Sequence, residues 1–298
     1  MKSFIRSLLA AIGLTAMAGA SAQAQVAELP AFDAALADTA NWREAAPENL
    51  IEFQIATARG ETRGRVLIEA APFAAPGHVE RFTSLAASGD LDGTMFHRVI
   101  EGFMAQGGDI EAIDRERAEN WPNIPGEFIF KRIPNSEDDS VPAMQKLGLP
   151  QAATSGYILG FPVSTQAEAF ASLSRDGSVQ SWIPHCKGVV STARTSDPNS
   201  ASTQFFLMRD ISPWLNREYT AWGRIVSGQD VVDSIEVGEP VRMPDVLVSA
   251  RLVSEMPEEE RPRVLVQRTD GPLFASFLEA NAGASVCDLP PVPTIVSN

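Results

Sequence analysis

Few residues in this chain carry reactive side chains, and they are widely spaced. There are three histidines, His78, His97 and His185, and two cysteines, Cys186 and Cys287. His185 adjoins Cys186, but one such pair cannot assemble a four-ligand zinc site. The sequence contains no G-x-S-x-G, no phosphate-binding G-x-x-x-x-G-K-[ST], no H-E-x-x-H and no C-x-x-C. No serine sits in a nucleophile-elbow context, so nucleophilic hydrolysis has no support in the motifs. Neither a cofactor nor a metal is expected.

What stands out instead is a set of long words. Phe96-His97-Arg98-Val99-Ile100-Glu101-Gly102-Phe103-Met104-Ala105-Gln106-Gly107-Gly108-Asp109 follows Asp92-Gly93-Thr94-Met95. Gly188-Val189-Val190-Ser191-Thr192-Ala193-Arg194 leads to Asp197-Pro198-Asn199-Ser200-Ala201-Ser202-Thr203-Gln204-Phe205-Phe206, then Pro213-Trp214-Leu215 and Tyr219-Thr220-Ala221-Trp222-Gly223-Arg224. In content and order these words resemble the cyclophilin signature over residues 48–130 and 185–253, with an insertion between the first word and the second. The resemblance implies a peptidyl-prolyl cis-trans isomerase that acts on proline-containing unfolded or partly folded proteins. The alternative reading is a non-catalytic peptide-binding or chaperone-like module on the same scaffold.

Turning an X-Pro bond means breaking amide resonance, a barrier of about 18–20 kcal/mol. As the amide twists, the prolyl nitrogen becomes pyramidal and gains a lone pair. A donor held against that nitrogen favours the twisted form over the planar one, which is what catalysis requires. Arg98 stands at the family's catalytic arginine, and a guanidinium offers permanently charged donors in a rigid fork. Phe103, Met104, Phe206 and Leu215 match the positions of the apolar proline pocket. Gln106 matches the residue that binds substrate backbone, Ala193 and Arg194 match the groove lining, and Tyr219 stands where eukaryotic members carry histidine. Two further departures are Trp222 for a common Phe, expected to add bulk behind the pocket, and Thr192 for Met at an interior position. Phe205 should point into the core, opposite to Phe206, and His97 away from Arg98.

The family fold is a closed eight-stranded antiparallel β-barrel capped by two α-helices, mainly β, and the residue pattern agrees with it. Ile51, Phe53 and Ile55 alternate with Glu52, Gln54 and Ala56, and a turn-like Arg59–Gly64 joins them to a second strand, Arg65–Ala70. Pro76 opens a helix with Val79, Phe82, Leu85 and Ala86 on one face, and Gly89 ends it. Short strands follow at 95–100, 103–106, 188–192, 204–208, 221–226 and 245–253, with a helix at 230–235. Residues 131–184 carry no strong period and read as a long loop, functional or mobile rather than core. In the extension 254–298, a strand at 263–267 and a helix at 273–280 are expected.

Residues 1–24 have a basic start (Lys2, Arg6), an apolar run from Leu8 to Ala20 and A-x-A sites at 20–22 and 22–24. That is the pattern of a cleavable secretory signal. A leader, 25–47, precedes the isomerase-like domain, 48–253. Export would place the protein in a periplasmic or extracellular, oxidising compartment. There Cys186 and Cys287 either bridge or sit apart as small core residues. The formal charge of −14 falls to −16 without Lys2 and Arg6, which disfavours nucleic-acid partners. After residue 25 no apolar run nears the length of a membrane span, and a monomer is expected.

Overall fold

The computed structural model describes residues 29–134, 141–149 and 153–297; the expected signal segment lies outside them. Eight antiparallel strands build the central element. They are β1 (Leu50–Ala56), β2 (Thr62–Ala70), β3 (Arg98–Ile100), β4 (Met104–Gly107), β5 (Val189–Thr192), β6 (Phe205–Met208), β7 (Ala221–Ser227) and β8 (Val246–Leu252). Their order is β8-β1-β2-β7-β5-β6-β4-β3. Just before β3, Gly93 and Phe96 donate to the carbonyls of Leu247 and Asp245, and Leu247 N–H donates to the Thr94 carbonyl. These bonds bridge the two edges of the sheet at this point and curl it into a barrel. Met95 belongs to that bridge with Val246, so the strand expected from residue 95 starts at Arg98.

Helix α1 (Pro76–Ser88) and helix α2 (Gln229–Asp233) accompany the barrel. The α1 face of Val79, Phe82, Leu85 and Ala86 is buried, and Gly89 ends the helix at φ 73°, in the left-handed region that glycine adopts without cost. Phe82 stacks on Trp222, with ring centroids 4.3 Å apart and planes 7° apart. Trp222 therefore fills the barrel interior under α1, together with Phe53, Phe96 and Phe205.

A second apolar core lies on the barrel's outer face. Met104, Phe206, Met208, Leu50 and Leu67 meet Phe130, Tyr157, Phe161 and Val163 of the insertion and Val264, Val266, Phe274 and Val292 of the C-terminal extension. The insertion is thus not the loop expected. It forms a five-stranded antiparallel sheet in the order Phe130–Arg132, Val179–Trp182, Phe161–Thr165, Ser155–Ile158, Gln145–Lys146. Its strands are two to five residues long, too short for a period to emerge, and the hairpin turns at Leu159-Gly160 (φ 52° and 83°) rather than at a typical Asn-Gly.

The extension folds as expected, with strand Arg263–Gln267 and helix Pro272–Ala280. Its strand sits between Trp42–Glu44 and Thr294–Ser297, so part of the expected leader is sheet. Cys186 and Cys287 form a disulfide, which ties the extension to the segment entering β5.

Candidate functional site

Side chains of successive strands line up across the barrel. Arg98 on β3 is the register partner of Gln106 on β4, Gln106 pairs with Phe206 on β6, and Phe206 with Ser191 on β5. Directly paired residues share a face, so this row looks outward. Its neighbours Val99, Ala105, Phe205, Leu207 and Val190 are fully or almost fully buried in the barrel interior. Phe205 is core, and Thr192 is 1% exposed.

Arg98, Phe103, Met104, Gln106, Ala193, Arg194, Phe206, Leu215 and Tyr219 all line one depression of about 130 Å³. Every residue singled out for the site is therefore brought together. Its floor is Met104, Phe206 and Leu215, each under 8% exposed. Tyr219 stands edge-on to Phe206, with centroids 5.8 Å apart at 79°. Phe103 packs against the exposed Trp214 at 5.8 Å. A second depression of about 420 Å³ shares Gln106, Ala193 and Arg194 and runs on to Gln204, Ser202 and Trp121. Together the two make an extended groove.

The polar groups are held by partners. Arg98 Nε donates to Glu239 Oε1 at 2.6 Å, and its Nη1 reaches Gln106 Oε1 at 3.5 Å, the outer limit of a hydrogen bond. Gln106 Nε2 donates to Gln204 Oε1 at 2.9 Å. Arg194 donates to the carbonyls of Glu218 and Thr195, both at 2.8 Å, and its guanidinium lies 4.5 Å from the Tyr219 ring centroid. That geometry allows a cation–π contact. Ala193 N–H donates to the Gln204 carbonyl. Glu239 comes from a loop whose Gly238 exchanges backbone bonds with Val99. Nothing in the sequence signals this, because the pair is 141 positions apart.

Behind Phe206 lies a buried polar chain. His185 Nε2 is 3.0 Å from Ser191 Oγ, and His185 Nδ1 is 3.1 Å from Asn216 Oδ1. Asn216 Oδ1 only accepts, so Nδ1 carries the proton and the Ser191 hydroxyl donates to Nε2. Burial pushes the His185 pKa down to about 4, against a smaller upward pull from Asn216, so the ring is neutral near pH 7. The trio imitates a hydrolase triad, yet Ser191 is 0% exposed and no substrate carbonyl reaches it. The His185 ring stacks on Phe206, with centroids 6.0 Å apart, and so supports the pocket floor. His97, which lies outside this chain, bonds Val241 N–H through its carbonyl.

At the α1 N-terminus, Glu127 accepts from Gly77 N–H (3.1 Å), His78 N–H (2.9 Å) and His78 Nδ1 (2.8 Å). Burial raises its pKa, but these bonds outweigh that and hold the carboxyl below its ordinary value. Among the described residues, no three His, Cys, Asp or Glu side chains gather as metal ligands. No helix among them is long and apolar enough to cross a membrane.

Residues 52–254 match the family model described as cyclophilin type peptidyl-prolyl cis-trans isomerase/CLD. A probable peptidyl-prolyl cis-trans isomerase of Brucella abortus is 30% identical over 268 residues, covering 85% of this chain and 98% of the relative. The peptidyl-prolyl cis-trans isomerase cyp18 of Streptomyces antibioticus is 32% identical over 181 residues, 58% of this chain and 78% of its own. Among solved structures, the cyclophilin AquaCyp293 from Hirschia baltica superposes with a TM-score of 0.82 at 42% identity, covering 90% of this chain and 98% of that one.

Proposed function

The chain belongs to the cyclophilin-type peptidyl-prolyl cis-trans isomerase family, and from that premise we propose that it turns X-Pro bonds of exported proteins with Arg98 as the catalytic donor. The observation that carries this reading is the single depression lined by Arg98 together with Phe103, Met104, Phe206, Leu215 and Tyr219. The apolar wall takes the proline ring by removing its surface from water. Gln106, positioned by Gln204, and the backbone beside Ala193 take the flanking peptide. Arg194, drawn against Tyr219, walls the groove.

Arg98 acts on the transition state. In the planar amide the prolyl nitrogen has no lone pair to offer. In the twisted amide it does, and a guanidinium N–H at that position lowers the barrier selectively. Uncatalysed X-Pro isomerisation takes tens to hundreds of seconds, slow enough to limit folding. The clients are proline-containing chains met unfolded or partly folded.

The signal-like residues 1–24 and the pairing of Cys186 with Cys287 support an exported, periplasmic or secreted protein. A proline-limited refolding assay tests the enzymatic reading: wild type accelerates the slow phase and Arg98→Ala does not. Equal acceleration by both would remove Arg98 from the mechanism, whereas no acceleration by wild type would leave the peptide-binding module as the better account. Cell fractionation tests export, which a cytoplasmic, uncleaved product would contradict.

A further inference from the structure

The proline depression opens onto the second one, of about 420 Å³, through Gln106, Ala193 and Arg194, which line both. A client longer than the X-Pro pair therefore lays a neighbouring side chain there. Trp121 lines this second depression and also a third, of about 440 Å³. It is half-buried and firmly held. Its Nε1 donates to Asp90 Oδ2 at 2.8 Å, its carbonyl accepts from Ser202 Oγ at 2.7 Å, and its amide donates to the Ala118 carbonyl at 3.0 Å. A fixed aromatic ring beside a groove is a preorganised platform for a bound chain.

The charges around this platform do not balance. Two arginines reach the depressions, and both are engaged by backbone carbonyls. Arg81 donates to Ser202 (3.2 Å) and Pro122 (2.8 Å), and Arg194 to Glu218 and Thr195 (both 2.8 Å). Arg81 also lies 5.4 Å from the Trp121 ring centroid, and Arg194 has the Glu218 carboxylate as counter-charge at 3.4 Å. The carboxylates are less engaged. Asp109 and Glu111 on the second depression, and Glu80 on the third, form no ion pair among the described residues. Asp109 accepts only the Ala112 N–H, at 3.3 Å. Residues 109–119 hold five carboxylates and two arginines; neither arginine lines the depression, and Arg117 pairs with Asp114 at 3.7 Å. On the third depression Arg81 faces both Glu80 and Glu127. Each depression thus keeps an excess of negative charge.

We infer that Asp109 and Glu111 make the groove select clients with a lysine or arginine close in sequence to the proline. The apolar stem of such a side chain covers Trp121 and Ala118 while its charged head meets the carboxylates. The inference rests on the isomerase reading above and adds a substrate class to it. The two carboxylates line the second depression and not the one holding Arg98. They therefore act on binding and not on the twisting bond, so the preference belongs in KM and leaves kcat alone. The formal charge of −14 works in the same direction, by steering basic segments to the surface.

The test is the kinetics of isomerisation of short single-proline peptides, read by exchange NMR with the full disulfide-intact protein. Lysine, alanine or glutamate stands two residues from the proline, before it in one series and after it in the other. On one flank, lysine should exceed alanine in kcat/KM by roughly 3-fold and glutamate by roughly 10-fold, through KM, with the preference shrinking at high salt. The lysine-to-glutamate ratio is taken within one protein, so a general loss of activity in a variant cancels. Joint Asp109→Asn and Glu111→Gln substitution should bring the ratio near unity, and the single exposed change Glu111→Lys should lower it at least ~3-fold. With the alanine peptide still turned over, equal kcat/KM for all three residues in both series, a preference carried by kcat, or one that both variants keep would each overturn the proposal. No exchange of any peptide would overturn the isomerase reading, and the proposal with it.

Discussion

Arg98 Nε donates to Glu239 Oε1 across 2.6 Å, with the arginine side chain 37% and the glutamate 57% exposed. The carboxylate holds one edge of the guanidinium and leaves the Nη groups toward the proline depression. Half-exposed ion pairs are worth little to stability, about 0.2–1 kcal/mol. Glu239 therefore acts through the placement of Arg98 and not through the fold. Glu239→Gln is expected to lower kcat/KM by roughly 2–5-fold with Tm nearly unchanged. Peptide kinetics alongside a melting curve check this, and a large drop in Tm without a change in kcat/KM would contradict it.

His185 gives a pH dependence of known sign. Its pKa is depressed to about 4 in the folded protein and returns to about 6.5 on unfolding. Between those values the unfolded chain binds more protons, so stability falls as pH drops from about 6.5 to about 4, by up to ~3 kcal/mol from this group. Glu127, held below its ordinary value, adds its loss only at lower pH. Unfolding midpoints over this range should decline in wild type and decline less in His185→Gln. Parallel curves for the two proteins would remove His185 as the cause.

The stacked pair Phe82–Trp222 anchors α1 on the barrel. Both rings are fully buried, so Phe82→Ala should cost about 3–5 kcal/mol in chemical denaturation. A loss below 1 kcal/mol would mean that α1 contributes little to the core.

The disulfide closes a long loop, because its cysteines are 101 positions apart. Cross-links of this span contribute about 2–4 kcal/mol. Without reductant, the denatured intact protein should take up no alkylating reagent; after reduction it should take up two equivalents. Cys287→Ser should melt at lower temperature and free the extension to proteolysis before the barrel. Full protection of the extension in that variant would contradict the tethering role.

The barrel was legible because its strands carry either clear alternation, as at Ile51, Phe53 and Ile55, or long family words, as around Arg98 and Phe206. Arg98, Gln106 and Phe206 converge because they share the register row that joins β3, β4 and β6, and the other six site residues were legible because they stand in the same family words. The insertion was not legible. Phe161–Thr165 does alternate buried and half-buried residues, but over five residues that pattern is indistinguishable from a loop. Glu239 was invisible for another reason: its contact depends on Gly238 pairing with Val99, a tertiary event that leaves no local mark.

The central claim is that Arg98 stabilises the twisted amide and does not merely help to hold the peptide. Exchange NMR on an X-Pro peptide reads both quantities in one sample: affinity from chemical-shift titration and isomerisation from cis–trans exchange. Arg98→Ala should bind the peptide within ~10-fold of wild type yet lose roughly 100-fold or more of the exchange rate. Exchange that stays at the wild-type rate while the peptide is bound would contradict the account.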